Sequence, residues 1–376
     1  SQGKDVTARF QLIRERYAEI AANLGIKHDI DSVIDEVESS IKNGADANAV
    51  VSRGEYLGAH LIARYLGFQF LDATEIIRFS DETTIDAVQT EKLVREKIDP
   101  TGKYVIPGFY GAFADGRVQL FSRGGSDISA ALVAAGIGAS VYENWTDVSG
   151  LLSADPRVVD GPAPIPEVTY EQLRELAYLG ANVFHDEAVA PVASKNIPIN
   201  IRNTNEPDHP GTRIVGAITG KPAAVTGVAG KTDFMGIFVD KPFLSKQLGF
   251  VTRVREELGS LGVRVDHMDN GADSLIVVAD AETVGHAEKQ IASVLIDKMG
   301  CQSVDVNRPL ALVGVVGPQV AAQGMTISRL FAELASSDIA VRFSAIGYSP
   351  NSVVIGVDEN RYQDAVRALY RGSQGA

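Results

Sequence analysis

Cysteine is almost absent from this chain of 376 residues, which contains only Cys301. A single thiol excludes an internal disulfide, and such scarcity is typical of proteins that stay in a reducing compartment. The six histidines are scattered, and no group of cysteines and histidines has the spacing of a zinc site. We therefore predict a cytoplasmic protein that has no metal-ligand cluster of its own.

Positive charge is also scarce, because 35 lysines and arginines stand against 48 aspartates and glutamates, giving a formal net charge of −13. Nonspecific binding to nucleic acid or to an anionic membrane needs basic patches, which this balance argues against. The longest apolar run, ALVAAGIGAS at 131–140, is too short to cross a bilayer, and the N-terminal segment lacks a signal-peptide core. We expect no nucleic-acid partner and no membrane partner.

Helical and strand patterns alternate as far as about residue 203. Apolar spacing predicts helices over 7–45 and 54–66, and strands near 68–71, in ASVYENW and in IPINIRN. KYVIPGFYGAF is predicted as a strand that ends in a Gly/Pro-rich loop. This alternation predicts an α/β architecture with a mainly parallel sheet. Ligands of such sheets collect at the carboxyl ends of the strands, so we expect the functional loops there.

The composition changes after Thr204, where NTNEPDHPGTRIVGAITGKPAA is typical of a linker. A weak internal repeat follows, with copies that begin at Gly249 and Gly324, and each copy reads as helix, strand, turn and strand. Because a further strand precedes each copy, we predict two modules of βαββ type. The stretch AAVTGVAG is a candidate strand that one module contributes to the other.

SRGGSD, at residues 122–127, separates a predicted strand from an alanine-rich helix. Successive glycines let backbone N–H groups point into one space, and the helix adds its free N–H groups and the positive end of its dipole, so the bend predicts an anion site. Arg123 adds a cation that can fork onto carboxylate or phosphate, and Ser126 adds a hydroxyl donor. Asp127 would repel phosphate unless it pairs with a lysine or a magnesium ion. The alternative is an ordinary helix capped by Ser126 or Asp127.

Several motifs in a fixed order carry a family resemblance. They are VSRGEYLGAHLIA, GFYGA, SRGGSD, NWTDVSGLLSADPRVV, YLGANVFHDEAV and IPINIRNTN. From about Arg9 to its end, the chain resembles the aspartate kinases of the amino acid kinase superfamily. The resemblance implies a three-layer αβα catalytic domain over 1–213, followed by tandem ACT modules over 214–300 and 301–376. The family's Lys-Phe-Gly-Gly motif is not found in the chain, so we expect about the first sixth of a complete kinase to be absent.

The resemblance also implies a reaction. The γ-phosphoryl group of ATP moves to the side-chain carboxylate of L-aspartate, the first step of lysine, threonine and methionine biosynthesis, with Mg²⁺ carried mainly by the nucleotide phosphates. A carboxylate with a pKa of about 3.9 is already ionised at neutral pH and needs no catalytic base. The site must instead supply cations, donors and alignment.

Residue roles follow from the matched motifs. Arg123 would clamp the substrate's α-carboxylate, Glu55 its ammonium group and Phe109 its short stem. Phosphate oxygens would accept hydrogen bonds from Ser126, Gly124 and Gly125, while Asp127 orients the family's lysine or influences Mg²⁺. The alternatives are a surface role for Glu55 and a core position for Phe109.

The nucleotide is expected along TDVSGLLSADPR and GANVFH. Its implied contacts are Thr146 and Asp147 on the adenosine side, Arg157 on the phosphate side, Leu152 where many relatives have an aromatic residue, Asn182 where many have a lysine, and Val183. The alternative for Arg157 is a surface salt bridge.

Paired ACT modules imply feedback control by lysine or threonine, and a homodimer or a dimer of dimers formed through these modules. The implied effector contacts are Lys246, Gln247, Leu248, Gly249, Asn270, Gly271, Ala272, Asp273 and Ser274. Solvated turns are the alternative.

Two other functions stay open at this stage. The chain could be a catalytically silent amino-acid sensor that uses only its ACT modules, or another amino acid kinase that acts on glutamate or its derivatives. Glu55, Arg123, Ser126 and Asp127 argue against the sensor, and the double module argues against the glutamate kinase.

Overall fold

The computed structural model describes residues 6–26, 30–181, 186–220, 222–347 and 349–374. These residues form two compact units. The first contains the described residues up to Asp147, together with 186–207 and 213–216. The second contains 148–181, 208–212 and the described residues from Ala217 onward. The predicted domain boundaries after residues 213 and 300 stay predictions.

Eleven α-helices lie within the described residues. They are α1 (Thr7–Asn23), α2 (Asp31–Lys42), α3 (Ala47–Leu66), α4 (Ala87–Lys97), α5 (Gly125–Ile137), α6 (Tyr170–Tyr178), α7 (Val189–Ala193), α8 (Phe250–Ser260), α9 (Ala281–Ser293), α10 (Gly324–Ser336) and α11 (Tyr362–Gln374). No helix of these ranges combines the length and the apolarity needed to cross a bilayer.

The described residues also form sixteen strands. They are β1 (Gln69–Phe70), β2 (Tyr104–Val105), β3 (Tyr110–Ala112), β4 (Val118–Leu120), β5 (Tyr142–Thr146), β6 (Leu151–Leu152), β7 (Pro164–Ile165), β8 (Glu167–Thr169), β9 (Ile199–Asn203), β10 (Thr212–Val215), β11 (Gly227–Asp240), β12 (Val265–Asn270), β13 (Ser274–Asp280), β14 (Ser303–Val316), β15 (Val341–Ile346) and β16 (Ser352–Asp358).

The first unit contains short parallel strand pairs covered by helices, together with the antiparallel pair of β3 and β4. β1 pairs in parallel with β2, and β5 pairs in parallel with β9. Helix α5 packs against α4, α7 and β5, and its buried side includes Ala131 and Leu132. Ile199 and Ile201 of β9 are fully buried, as expected for a central strand with both faces covered. The predicted α/β architecture with parallel pairing is confirmed.

Helix α3 begins at Ala47, seven residues before its predicted start near Gly54. The Asp46 side chain caps it by accepting a 2.7 Å hydrogen bond from the backbone N–H of Ala49. Gly67, with φ of 68°, ends it. Because the glycine at position 54 is tolerated inside the helix, the predicted turn does not form.

The apolar stretch KYVIPGFYGAF has the predicted strand, β2, followed by the predicted Gly/Pro-rich loop, and a second strand, β3, that the pattern does not predict. Pro107 interrupts the stretch because proline has no N–H to donate to a sheet. Phe109 then adopts a left-handed φ of 63°, which turns the chain between the two strands.

The predicted linker also contains structure, because β10 lies inside it. Ile214 is fully buried and Val215 is nearly so. These apolar side chains give the segment a core-facing strand despite the Pro, Gly and Asn around it.

A six-stranded antiparallel sheet dominates the second unit, with strand order β12-β13-β11-β14-β16-β15. The first module consists of β11, α8, β12, β13 and α9, and the second module consists of β14, α10, β15, β16 and α11. Val254 and Leu258 of α8, and Leu330 and Leu334 of α10, are among the buried residues of equivalent helices. The predicted pair of βαββ modules is confirmed.

The two central strands, β11 and β14, are 14 residues long and serve both modules. Val228, near the start of β11, pairs with Val315 and belongs to the apolar core of the second module. Val306, in the first half of β14, belongs to the core of the first module. The AAVTGVAG stretch therefore completes the other module, as predicted.

Candidate active site

The bend before α5 needs its two glycines for different reasons. Gly124 has φ of 61°, in the left-handed region that favours glycine. Gly125 is buried, and a Cβ atom there would lie 2.6 Å from Cβ of Phe121 and 2.8 Å from Cα of Phe109. The first glycine permits the turn, and the second permits the close packing behind it.

A neighbouring loop braces this bend. The backbone N–H of Phe109 donates to Oγ of Ser129 at 3.1 Å, and that hydroxyl donates to the carbonyl of Gly125 at 2.7 Å. A Cβ atom on Gly108 would lie 3.0 Å from both Cα and Oγ of Ser126. The structure thus brings the predicted residues Phe109, Gly125 and Ser126 together, with Phe109 in a strained backbone conformation.

Arg123 is exposed at the mouth of the bend. Its guanidinium has no ion pair and no hydrogen bond with any residue that the structure describes. Ser126, also exposed, and the free N–H groups of the first turn of α5 lie in the same segment. A free cation, a hydroxyl and a helix N-terminus together suit an anionic ligand.

Asp127 lies in the first turn of α5 and is held from β5. Its Oδ1 accepts a hydrogen bond of 2.8 Å from Nδ2 of Asn144, and Nδ2 also lies 3.2 Å from the hydroxyl of Tyr142. Burial raises the pKa of Tyr142 to about 12, and the Asp127 carboxylate adds to the rise while the Asn144 contact opposes it. The Tyr142 hydroxyl therefore stays protonated at neutral pH.

The carboxyl ends of β5 and β9 meet at Thr146 and Asn203. Both the backbone N–H and the hydroxyl of Thr204 donate to the carbonyl of Thr146, at 2.8 Å and 2.9 Å. Asp147 is exposed and accepts a 3.2 Å hydrogen bond from the Thr146 hydroxyl. The predicted residues Thr146 and Asp147 thus lie at a parallel strand end, where ligands of α/β sheets bind.

Glu55 is exposed on α3. Burial raises the pKa of Tyr17, and the charge of Glu55 adds to that rise. Glu55 makes no ion pair or hydrogen bond with Arg123 in the part of the chain that the structure describes. The proposed substrate clamp formed by Glu55 and Arg123 is therefore not preassembled by direct contact, and it stays a prediction.

The second unit has a cavity of about 400 Å³ that contains two predicted nucleotide contacts, Leu152 and Arg157. Leu152 is 42% exposed. Arg157 forks onto Asp155, with its Nη2 atom 2.7 Å and its Nε atom 3.0 Å from the carboxylate oxygens, and this cation lowers the pKa of Asp155. Asn182 and Val183 lie outside the described residues.

In the first module, the chain just before the predicted effector segment 246–249 is hydrogen-bonded to the other predicted segment, 270–274. The backbone N–H of Phe243 donates to Oδ1 of Asp273 at 2.5 Å, and that of Ser245 donates to the carbonyl of Ala272 at 3.0 Å. The N–H of Lys241 donates to the carbonyl of Asp273 at 2.7 Å. Leu248 is 96% exposed beside this loop.

The second module repeats this hydrogen-bond pattern. The N–H of Gln319 donates to Oδ1 of Asn351 at 3.1 Å, and that of Gly317 donates to the carbonyl of Asn351 at 3.0 Å. One difference is steric, because a Cβ atom on Gly317 would lie 2.3 Å from the carbonyl oxygen of Ala224. Residue 224 thus fills the space beside Gly317, whereas Lys241 has a full side chain at the matching position of the first module.

Comparisons with known proteins decide the family. The model of the amino acid kinase family matches residues 10–203. Aspartokinase 3 of Bacillus subtilis is 32% identical over 96% of this chain and 83% of its own length. The crystal structure of Clostridium acetobutylicum aspartate kinase aligns with a TM-score of 0.89 and 38% identity, covering 96% of this chain and 84% of that one. The chain belongs to the aspartate kinases.

The family resemblance inferred from the ordered motifs is thus confirmed, and so are the enzyme class and the fold. The function is that of an aspartate kinase, and the silent-sensor alternative is not favoured. Escherichia coli aspartokinase III shares the fold, with a TM-score of 0.68 and 23% identity over 96% of this chain and 81% of that chain.

Sequence reasoning missed three residues that shape the candidate site. Asn144 orients Asp127, Ser129 ties the bend to residue 109, and Asn203 pairs with Thr146. Asn144 and Asn203 lie within the family motifs NWTD and IRNTN, and this position in a motif could have identified them. Ser129 had no such signal, since a serine inside an alanine-rich helix is common.

Proposed function

We propose that this aspartate kinase binds L-aspartate and the transferred phosphate at the glycine bend of residues 122–127. The observation that carries the proposal is the unpaired, exposed guanidinium of Arg123 beside a rigidly braced helix N-terminus. Arg123 would bind the α-carboxylate of the substrate, and Ser126 with the N–H groups of the bend would bind phosphate oxygens.

The chemistry needs alignment and charge rather than a base. The attacking oxygen belongs to a carboxylate that is ionised at neutral pH, so no proton has to be removed. The P–O bond to the leaving ADP breaks as the bond from the aspartate oxygen to phosphorus forms, and Arg123 and the bend would offset the repulsion between the two anions. Phe109 would pack on the substrate stem, and Glu55 would hold its ammonium group.

The cavity lined by Leu152 and Arg157 would hold part of the nucleotide. Its walls are mainly apolar, with Val148, Leu176 and Val366 among them, as suits a purine or ribose face. Thr146 and Asp147 are proposed contacts on the adenosine side, by the motif match alone.

Magnesium would enter with the nucleotide and stay mainly on its phosphates. Within the described residues, no group of three or more His, Cys, Asp and Glu side chains is arranged to hold an ion. A lone carboxylate, Asp127, suits the way Mg²⁺ binds, since this ion retains substrate oxygens and waters and needs one or two protein ligands.

An amino-acid effector, lysine or threonine, would bind at segments 246–249 and 270–274 of the first module. Asp273 offers a carboxylate for an ammonium group, and Leu248 and Phe243 expose apolar surface next to it.

We propose a homodimer or a dimer of dimers formed through the modules, and a cytoplasmic location in keeping with the single cysteine. Light scattering would establish the number of chains in the assembly.

The substrate site is tested with Arg123→Ala. Loss of a charge-assisted hydrogen bond, worth about 1.5–3 kcal/mol, should raise the KM for aspartate roughly 10- to 150-fold. The melting temperature should not change, because Arg123 has no partner to lose. Arg117→Ala is the matched control in the same unit, an exposed arginine whose guanidinium pairs with Asp115 and lies 4.9 Å from the ring centroid of Phe113. A normal KM for aspartate in Arg123→Ala would show that Arg123 does not bind the substrate. A separate hydroxamate assay with aspartate and with glutamate identifies which amino acid accepts the phosphoryl group.

The effector site is tested with the equivalent pair Asp273→Ala and Asn351→Ala. Each variant removes a hydrogen bond to a backbone N–H, in the first and second module respectively, and Asn351→Ala also removes the bond that Nδ2 of Asn351 donates to Glu171. Only Asp273→Ala should abolish inhibition by the amino acid. Equal loss in both variants would indicate a structural effect and contradict the proposed site.

A further inference from the structure

One aromatic ring faces the cavity that contains Leu152. Among the described residues that line this cavity, the others are aliphatic, small or charged, and the ring belongs to Tyr362. Tyr362 is the first residue of α11, so a residue of the second module forms part of the cavity wall, one turn before Val366.

The ring of Tyr362 is fixed in place at both its hydroxyl and its edge. The hydroxyl donates a 2.9 Å hydrogen bond to the carbonyl of Gly230. A Cβ atom on Gly230 would lie 2.8 Å from Cε2 of Tyr362, so the glycine leaves room for the ring. A ring held in this way needs no ordering when a ligand arrives, which favours binding.

The surroundings connect this ring to the predicted nucleotide contacts. Burial raises the pKa of Tyr362, with the Asp155 carboxylate adding to the rise and the Arg157 guanidinium opposing it. The ring therefore lies within electrostatic reach of the Asp155–Arg157 pair. Leu152, at the same cavity, has no π face to offer a base.

We propose that Tyr362 supplies the aromatic face on which the nucleotide base stacks, so that the second module provides a specificity residue of the kinase reaction. This inference rests on the proposed assignment of the cavity to the nucleotide. Planar bases stack favourably on aromatic rings, which a leucine cannot reproduce. Tyr362 would bind and select the nucleotide without taking part in phosphoryl transfer.

The test compares Tyr362→Leu with Tyr362→Phe. The leucine variant should raise the KM for ATP about tenfold with kcat nearly unchanged, because the loss falls on binding. The phenylalanine variant keeps the ring and should stay within about twofold of wild type. Calorimetry should show weaker ADP binding by the leucine variant but unchanged binding of inorganic tripolyphosphate, which has no base.

Two further variants separate the possible failures. Tyr370→Leu removes a tyrosine from the same helix, outside the cavity, and should leave ADP binding normal. Leu152→Asp places a charge in the cavity and should abolish ADP binding. Normal ADP binding by Leu152→Asp would overturn the nucleotide cavity and this inference together. Normal binding by Tyr362→Leu, or equal loss in Tyr362→Phe, would overturn the stacking role alone.

Discussion

Asn144 donates a 2.8 Å hydrogen bond to the carboxylate of Asp127, a residue 17 positions earlier in the chain. The bond joins β5 to the first turn of α5 and fixes the carboxylate with a neutral donor. A carboxylate held this way keeps its second oxygen available for a cation. Asn144 is therefore a positioning residue for Asp127.

Replacing Asn144 with aspartate should make the kinase more active at low pH, relative to the wild type, than at high pH. Two carboxylates about 3 Å apart do not both ionise readily, so one takes up a proton at an unusually high pH. The shared proton restores a hydrogen bond, so the ratio of variant to wild-type kcat should rise as the pH falls from about 8 to about 5. Asn144→Ala cannot share a proton, and its ratio should be flat. A flat ratio for Asn144→Asp as well would contradict the positioning role.

Gly125 is the first residue of α5 and Gly138 directly follows its last residue. Substituting each with alanine compares a steric clash at Gly125 with backbone strain at Gly138. Gly125→Ala should destabilise the fold by about 2–3 kcal/mol and abolish activity, because the new methyl group meets Phe121 and the backbone of Phe109. Gly138 has φ of 65° with open space around it, so Gly138→Ala should cost about 1 kcal/mol and leave the kinetic constants intact. Chemical denaturation and steady-state kinetics check both. Similar costs for the two variants would show that the bend can relax.

Much of the fold could be predicted because the periodicity of apolar residues is local. The alternation of helix and strand, and the two modules, follow from spacing such as that of Val254 and Leu258. Errors arose where one residue overrides a pattern. Phe109 turns the chain into the unpredicted strand β3, and Asp46 starts α3 early.

The site was predictable only in part. The anion-binding character of residues 122–127 follows from residue types alone. The contact between Asn144 and Asp127 depends on how β5 packs against α5, which no local pattern encodes. The same holds for Tyr362, which is 210 positions from Leu152 in the numbering and meets it at one cavity.

His60 should make the first unit sensitive to acid. It stacks on Phe70 with ring centroids 3.5 Å apart, its Nε2 has no partner among the described residues, and burial, aided by Arg64, lowers its pKa to about 4. The unfolded chain takes up a proton near pH 6.5 while the folded one does not. His60 therefore leaves the free energy of unfolding undiminished above about pH 6.5 and lowers it as the pH falls from there towards 4.

A His60→Gln variant tests this directly, because glutamine takes up no proton. Its free energy of unfolding in urea should fall less between about pH 7 and about pH 5 than that of the wild type. Equal falls would show that His60 is not the responsible group.

Lys241 is a buried cation that closes the end of the short π-helix Val294–Lys298, which continues α9 in the first module. Its Nζ donates to the carbonyls of Met299 and Gly300, both at 2.9 Å, and lies 5.1 Å from the ring centroid of Phe250. Lys241→Met keeps the aliphatic volume but leaves both carbonyls without this donor, so we expect a loss of about 1–3 kcal/mol in unfolding free energy. Lys289→Met, at an exposed position of α9, should change it by no more than about 0.5 kcal/mol. If the two variants unfold at the same denaturant concentration, the carbonyls find other donors and Lys241 is not needed to hold this helix end.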